Sequence, residues 1–455
     1  MRNKEEIENR QPSHPFTEAP HRTLFAMSLP LLLSLIAEPL TGLADTAFIA
    51  RLGAIPLAAV GIGTTALTSM FWIFNFLSVG TQTEIAAASG AGDNHQVNRI
   101  ASMALMMSLG LGIVVAGITF PLAPAVVSLM GADQTLHDAA VSYFRIRLIG
   151  APAILITFAA FGIFRGLQDM KTQFRIAVSI NLINIILDPL LIFGPGPFPA
   201  MGVSGAALAS AAAQWAGAIW SVLTIRSDIM LSRKIKVSDG LRLVRIGRDL
   251  FIRTGMLTAF LMLTTRTATL IGPDAGAAHQ ALRQFWLFTA LFLDAYAVAG
   301  QSIIAYFTGM GHTQHIRRAA KIVCIWSVVI GTVLMLVMIV GQGFVEYLLV
   351  PEAALAVFGP AWLVTALFQP LNALAFGTDG IHWGTGDFQY LRNAMMLASL
   401  AGITGLWMLD PDTGNALTRV WIITGVWIGL RSFFGIIRIW PGFGRNTFSV
   451  DGANR

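Results

Sequence analysis

Five side chains carry chemistry that their surroundings do not suit. Glu38 and Asp45 lie in LSLIAEPLTGLADTAFIARLG, an otherwise apolar stretch. Asn184 and Asp188 lie in NLINIILDPLLIF, and Glu84 in TQTEIAAASG. An ionisable residue inside an apolar helix is expensive and is read as functional by default. Seven residues separate Glu38 from Asp45, nearly two helical turns, so the two share a face. Asn184 stands one turn before Asp188, also on one face. Two carboxyls at similar depth can share a proton, or bind Na+ together with backbone carbonyls. A proton held there can be loaded from an acidic side and displaced by a substrate cation. Pro39 removes a backbone hydrogen bond and bends the helix. Glu38 therefore either passes protons to Asp45 or satisfies a polar group that the bend frees. Glu84 either extends a proton path from the neighbouring helix or is dispensable to the fold.

The elements that position these groups follow from composition. Of 455 residues, 55% are hydrophobic and only 12% charged, against about 25% charged in soluble domains. Mean hydropathy is +0.67, which reads as a polytopic membrane protein embedded in the lipid bilayer. At about 20 apolar residues per span, twelve helices are expected. They cover roughly 24–50, 58–89, 99–121, 141–163, 173–194, 202–225, 254–272, 281–308, 319–341, 355–382, 391–409 and 417–440. Pro360 and Pro370 interrupt the tenth. The polar start MRNKEEIENRQPSHPF has no apolar core of a cleavable leader. Cys324 is the one cysteine, which excludes an internal disulfide or a cysteine metal cluster.

Basic residues orient the chain. Arg22, Arg99, Arg165, Lys171, Arg175, the cluster from Arg226 to Arg253, Arg317, Arg318, Lys321, Arg392 and Arg438 all fall on one side of the twelve spans. Arg51 and Arg419 fall on the other. The positive-inside rule then makes both termini cytoplasmic. It also accounts for the net charge of +6 without nucleic acid as a partner. The expected location is the plasma membrane, bacterial inner membrane in type.

The chain reads as two copies of one unit. Gly53 matches Gly272, Gln82 matches Gln301, Gly92 matches Gly311 and Arg99 matches Arg318, each 219 residues apart. Gly166 and Asp169 match Gly384 and Asp387 at 218. Glu84 has Ile303 as its counterpart. The expected organisation is a tail (1–23), a six-helix lobe (24–225), a basic linker (226–253), a second six-helix lobe (254–440) and a tail (441–455). Six spans per copy make the repeats parallel, about an axis along the membrane normal. Parallel repeats in transporters place the substrate route between halves that rock against each other.

These landmarks resemble the multidrug and toxic compound extrusion (MATE) transporters, over about residues 20–440. The resemblance rests on SLPLLLSLIAEPLTGLADTAFIARLG, GAGD, FRGLQDMKT, NLINIILDPLLIF, LDAYAVAGQ and DGIHWGTGDFQYLRN. The last two, with Asp294 and Asp379, point to the DinF-like branch. The resemblance implies an all-α membrane protein of two six-helix bundles around a cleft. It implies export of organic cations or amphipathic compounds by H+ or Na+ antiport, with no cofactor. It also implies that Asp45, Asp188 and Asn184 take part in cation coupling. Another branch keeps its acids in the second half, but Asp294 and Asp379 do not fall on those positions.

In the second half, a buried ion pair of Asp294 with Arg266 or Arg283 is expected, because an unpaired charge there is expensive. Asp294, Arg266 and Asp379 form a possible polar site, either a static brace or a substrate contact. No HExxH, GxSxG or P-loop pattern and no clustered histidine set for a metal occur, so an enzyme is not expected. The competing reading is a flippase or exporter of lipid-linked or anionic amphipathic substrates, for which Arg145, Arg147 and Arg266 leave room. Acids in the first half favour cationic cargo, and their apolar setting favours H+ over Na+. A functional monomer is expected.

Overall fold

The computed structural model describes residues 14–197, 199–232, 236–440, 442 and 448. Most of both sequence-defined tails lies outside them. Among the described residues the elements are helical. A short α1 (Pro15–Glu18) precedes α2 (Pro20–Ala50), α3 (Ala54–Trp72), a 3-10 turn (Ile73–Asn75), α4 (Phe76–Gly90), α5 (Asn94–Leu129), α6 (Gln134–Ile149), α7 (Ala151–Gly166), α8 (Met170–Phe193) and α9 (Val203–Asp228). The second half has α10 (Val237–Ile271), α11 (Pro273–Met310), α12 (Thr313–Leu349), α13 (Leu355–Leu367), α14 (Gln369–Gly384), α15 (Phe388–Trp407) and α16 (Ala416–Ile439). Every span expected from the sequence is a helix or a helix pair. Among the described residues, by length and apolarity alone, eight helices qualify to cross a membrane, or ten if each of two bent pairs is one span.

Both bends fall at equivalent places. The pair α6–α7 bends by 48° and α13–α14 by 45°, just before Pro152 and Pro370, which are 218 residues apart. The interruption of the tenth span is the one expected from Pro360 and Pro370, and the matching one in the fourth is not expected from the sequence. By contrast α2 runs unbroken through Pro30 and Pro39.

The chain divides into two units, Pro30–Gly255 and the residues up to Leu29 together with Met256 onward. In the first unit, one apolar cluster gathers Ile49, Tyr143, Phe144, Leu148 and Ile192. A second gathers Ile85, Ile100, Phe164, Ile180 and Leu243. In the second unit Phe260, Trp286, Phe358, Trp362 and Trp427 pack together.

The same small-residue contacts hold each unit. A side chain at Gly162 would run into Ser78 O, and one at Gly380 into Ala297 O. Gly166 is closed off by Ile85 and Gln82 O, and Gly384 by Ile304 and Gln301 O. Gly112 faces Pro152 Cα as Gly331 faces Pro370 Cα. All of these matches keep the 218 or 219 spacing. In lipid, where apolar helices gain little from leaving their solvent, close backbone approach through small residues drives association. The glycines in the duplicated pattern are thus packing surfaces. Each unit's α4–α7 or α11–α14 pair depends on them.

The basic linker becomes helix. Residues from Val237 continue without a break into the seventh span, and the part up to and including Gly255 belongs to the first unit. Leu243 and Ile246 seat against Gly80, and Gly247 against the Phe76 ring. Arg99 Nε donates to Asp239 Oδ2 at 2.6 Å. The linker residues 233–235 lie outside the described set.

Candidate functional site

The site of the first unit begins with three helix ends. Asp45 and Asp188 each stand five residues before their helix ends, at Ala50 and Phe193. One turn beyond each acid is an apolar anchor on the same face: Ile49 beside Asp45 and Ile192 beside Asp188, both 1% exposed or less. Leu148, fully buried, anchors the last turn of α6 next to Arg147. These three anchors share one apolar cluster. The Phe48 and Phe193 rings meet at 6.4 Å beyond the acids. The packing therefore brings the two acids and the arginine to one place.

There the carboxyl groups of Asp45 and Asp188 interact directly. Asp188 is fully buried and Asn184 nearly so. Asn184 Nδ2 donates to Asp188 Oδ1 at 3.5 Å and to Ser210 Oγ, from α9, at 3.3 Å. Asp45 Oδ1 and Asp188 Oδ2 are buried with no hydrogen-bond partner among the described residues. The Arg147 guanidinium acts electrostatically on Asp45, Asp188 and Glu38 alike. Its Nε and Nη1 are buried without a hydrogen-bond partner among the described residues. Facing carboxyls can hold one proton between them, and a fixed guanidinium nearby offsets the remaining charge.

Glu38 sits on the open face of α2 within reach of the Arg147 field. It makes no hydrogen bond among the described residues, so it does not repair the backbone at Pro39. A carboxyl on an open face in the bilayer must front water rather than lipid. Arg147, acting electrostatically on the acids, and Ser210, bonded to Asn184, are neighbours that spacing alone does not reveal. An arginine inside span four was the available signal.

Glu84 is elsewhere. It lies near the end of α4, where the linker helix covers it, and its carboxylate meets Arg242 Nε at 2.8 Å. Glu84 is thus an ion-pair partner of the linker helix. Because the Arg242 side chain is 62% exposed, Glu84→Gln is expected to cost about 1 kcal/mol or less. Limited proteolysis should cut the linker faster in that variant, while transport coupled to an ion gradient is retained. Lost coupling with an intact linker would return Glu84 to the ion path.

In the second unit, Asp379 is held by a residue the sequence reading left unassigned. Arg431 Nη2 donates to Asp379 Oδ2 at 2.9 Å, with both side chains less than a tenth exposed. The guanidinium also lies over the Trp427 ring at 4.6 Å. Two turns on, Arg438 grips Asp387 through Nε at 2.7 Å and Nη2 at 3.1 Å. Asp379 is accordingly one half of a buried ion pair. The expected pairing of Asp294 with Arg266 or Arg283 does not form. Neither arginine has a carboxylate within 4.0 Å among the described residues. Arg283 and Asp294 are eleven residues apart on α11, about 16 Å at 1.5 Å per residue.

A family model described as MatE matches residues 30–190 and 251–408. The chain belongs to the MatE family. Protein DETOXIFICATION 44, chloroplastic, of Arabidopsis thaliana is 30% identical to it over 91% of this chain and 81% of that protein. DNA damage-inducible protein F of Escherichia coli (strain K12) is 27% identical over 95% and 94%. The fold matches a solved multidrug resistance MATE family transporter in its outward-facing conformation, with TM-score 0.81 at 20% identity, covering 92% of this chain and 94% of that one. The MatE chain is thus a multi-pass membrane protein of a transporter family, and the all-α, twelve-span reading stands.

Proposed function

We propose that this MatE protein is a secondary antiporter that exports organic cations or amphipathic drugs in exchange for H+, by alternating access. The observation that carries this reading is the direct contact of Asp45 and Asp188, each with a buried oxygen lacking a partner. Such a pair takes up a proton from the acidic side. A substrate cation entering the same field favours the ionised form and so displaces the proton. Asn184 orients Asp188 through its amide. Glu38, on the open face, passes protons or cations between water and the pair. Arg147 bears on the choice of ion. Na+ needs several oxygen ligands around it, and a guanidinium whose charge acts on both carboxyls opposes a metal cation while leaving proton exchange possible. In this reading the protein resides in the plasma membrane of a bacterial cell, works as a monomer, and keeps both termini in the cytoplasm.

The test is uptake of ethidium into proteoliposomes driven by a pH gradient or by a Na+ gradient. The wild type is expected to respond to the pH gradient, and Asp45→Asn to fall to the level of empty liposomes. Normal transport by Asp45→Asn, or drive by Na+ alone, contradicts the proposal.

A further inference from the structure

A cavity of about 490 Å³ opens in the second unit, lined by Met262, Thr265, Arg266, Thr269, Leu270 and Arg283. Its size falls within the range of small-molecule sites. Five of the six residues come from α10 at positions i, i+3, i+4, i+7 and i+8, which is one face of a helix. The sixth, Arg283, comes from α11 after the tight turn at Gly272. The lining residues all belong to this unit, and none is a member of the Asp45–Asp188 pair.

Its charge is what sets it apart. Two guanidinium groups line one space, and neither has a carboxylate within 4.0 Å among the described residues. Arg283 Nε is buried without a hydrogen-bond partner. Arg266 is exposed on the helix face, in a segment that is otherwise apolar, so it must front water in the bilayer. Placing two uncompensated cations together is unfavourable unless an anion joins them. The hydroxyls are fixed: Thr265 Oγ1 donates to Leu261 O at 3.1 Å and lies 3.2 Å from His279 Nε2. Thr269 Oγ1 donates to Thr265 O at 3.0 Å. Met262 and Leu270 supply an apolar wall. A planar oxyanion matches the fork of a guanidinium through two parallel hydrogen bonds.

We propose that Arg266 and Arg283 form a binding site for the carboxylate of an amphipathic organic anion, whose apolar body rests on Met262 and Leu270. This site widens the substrates beyond cations to zwitterions and organic acids. It does not depend on which ion the acid pair exchanges. A phospholipid headgroup offers related oxyanion chemistry, so the source of the anion is part of the test.

The experiment measures binding of dansylglycine, an aromatic carboxylate, to the full-length protein in nanodiscs of neutral lipid, with uncharged dansylamide beside it. Dansylglycine is expected to bind saturably and dansylamide weakly. Arg266→Gln and Arg283→Gln should each weaken dansylglycine binding about tenfold or more, at unchanged melting temperature. The double variant should abolish it. Arg266→Lys, which keeps charge but loses the fork, should fall between. Asp45→Asn should bind dansylglycine normally, which separates this site from the acid pair. Competition by added phosphatidylglycerol assigns the native anion to lipid, and its absence assigns it to a soluble organic acid. Equal binding of the two dansyl probes overturns the proposal. So does undiminished binding by folded single variants.

Discussion

Asp379→Ala is expected to cost about 3–5 kcal/mol, enough to remove most folded protein, because it takes a paired carboxylate away from the buried Arg431. The pair is held at 2.9 Å with both side chains less than a tenth exposed. Its partner helices, α14 and α16, pack the interior of the second unit, and Arg431 is further confined over Trp427. The lost charge therefore cannot be replaced by water without opening that packing. Removing both charges is a different matter. A buried ion pair pays desolvation on two groups, and apolar replacements of similar volume are often neutral or stabilising. Asp379→Leu combined with Arg431→Met is expected to recover much of the folded fraction. Thermal unfolding in detergent, with size-exclusion profiles, reads both outcomes. An Asp379→Ala protein that stays folded and yet does not transport would show that Asp379 is a transport residue and not a brace.

The second large effect is on coupling. Asp188→Asn keeps the shape of the side chain and a partner for the Asn184 amide, but cannot release a proton. Folded protein is expected at wild-type yield, and gradient-driven ethidium transport at the level of empty liposomes. Asp45→Asn should behave alike, and the double variant should be no worse than either, because the carboxyls act as one unit. Additive, partial losses would mean two independent sites. Arg147→Gln removes the resident cation from the same field. It is expected to tighten ethidium binding while the protein remains folded.

Much of this arrangement could be read from residue types and spacing. The apolar runs located every span, because membrane helices must satisfy their own backbone and so leave a long hydropathy signal. The 218 and 219 offsets located the duplication, and the structure gives those matched glycines a reason in backbone contact. The acids at positions 45 and 188 stood out because charge in lipid is rare. What escaped the sequence were partnerships across helices. Nothing in spacing tells that Arg147 reaches three acids, that Arg431 holds Asp379, or that Arg242 reaches back to Glu84. Spacing along α11 did contain one answer: eleven residues are too far for Arg283 to pair with Asp294. The linker was read as a polar connection because its charges mask an apolar face carrying Leu243 and Ile246, which dock on Gly80.

The central claim is that substrate cation and proton compete for the Asp45–Asp188 pair. Its most direct measurement is proton release by purified protein in weakly buffered detergent when ethidium is added. Wild-type protein is expected to acidify the medium in proportion to ethidium bound, and Asp45→Asn and Asp188→Asn to bind ethidium without releasing protons. Ethidium binding by the wild type with no proton release, or undiminished release by both variants, would contradict the account.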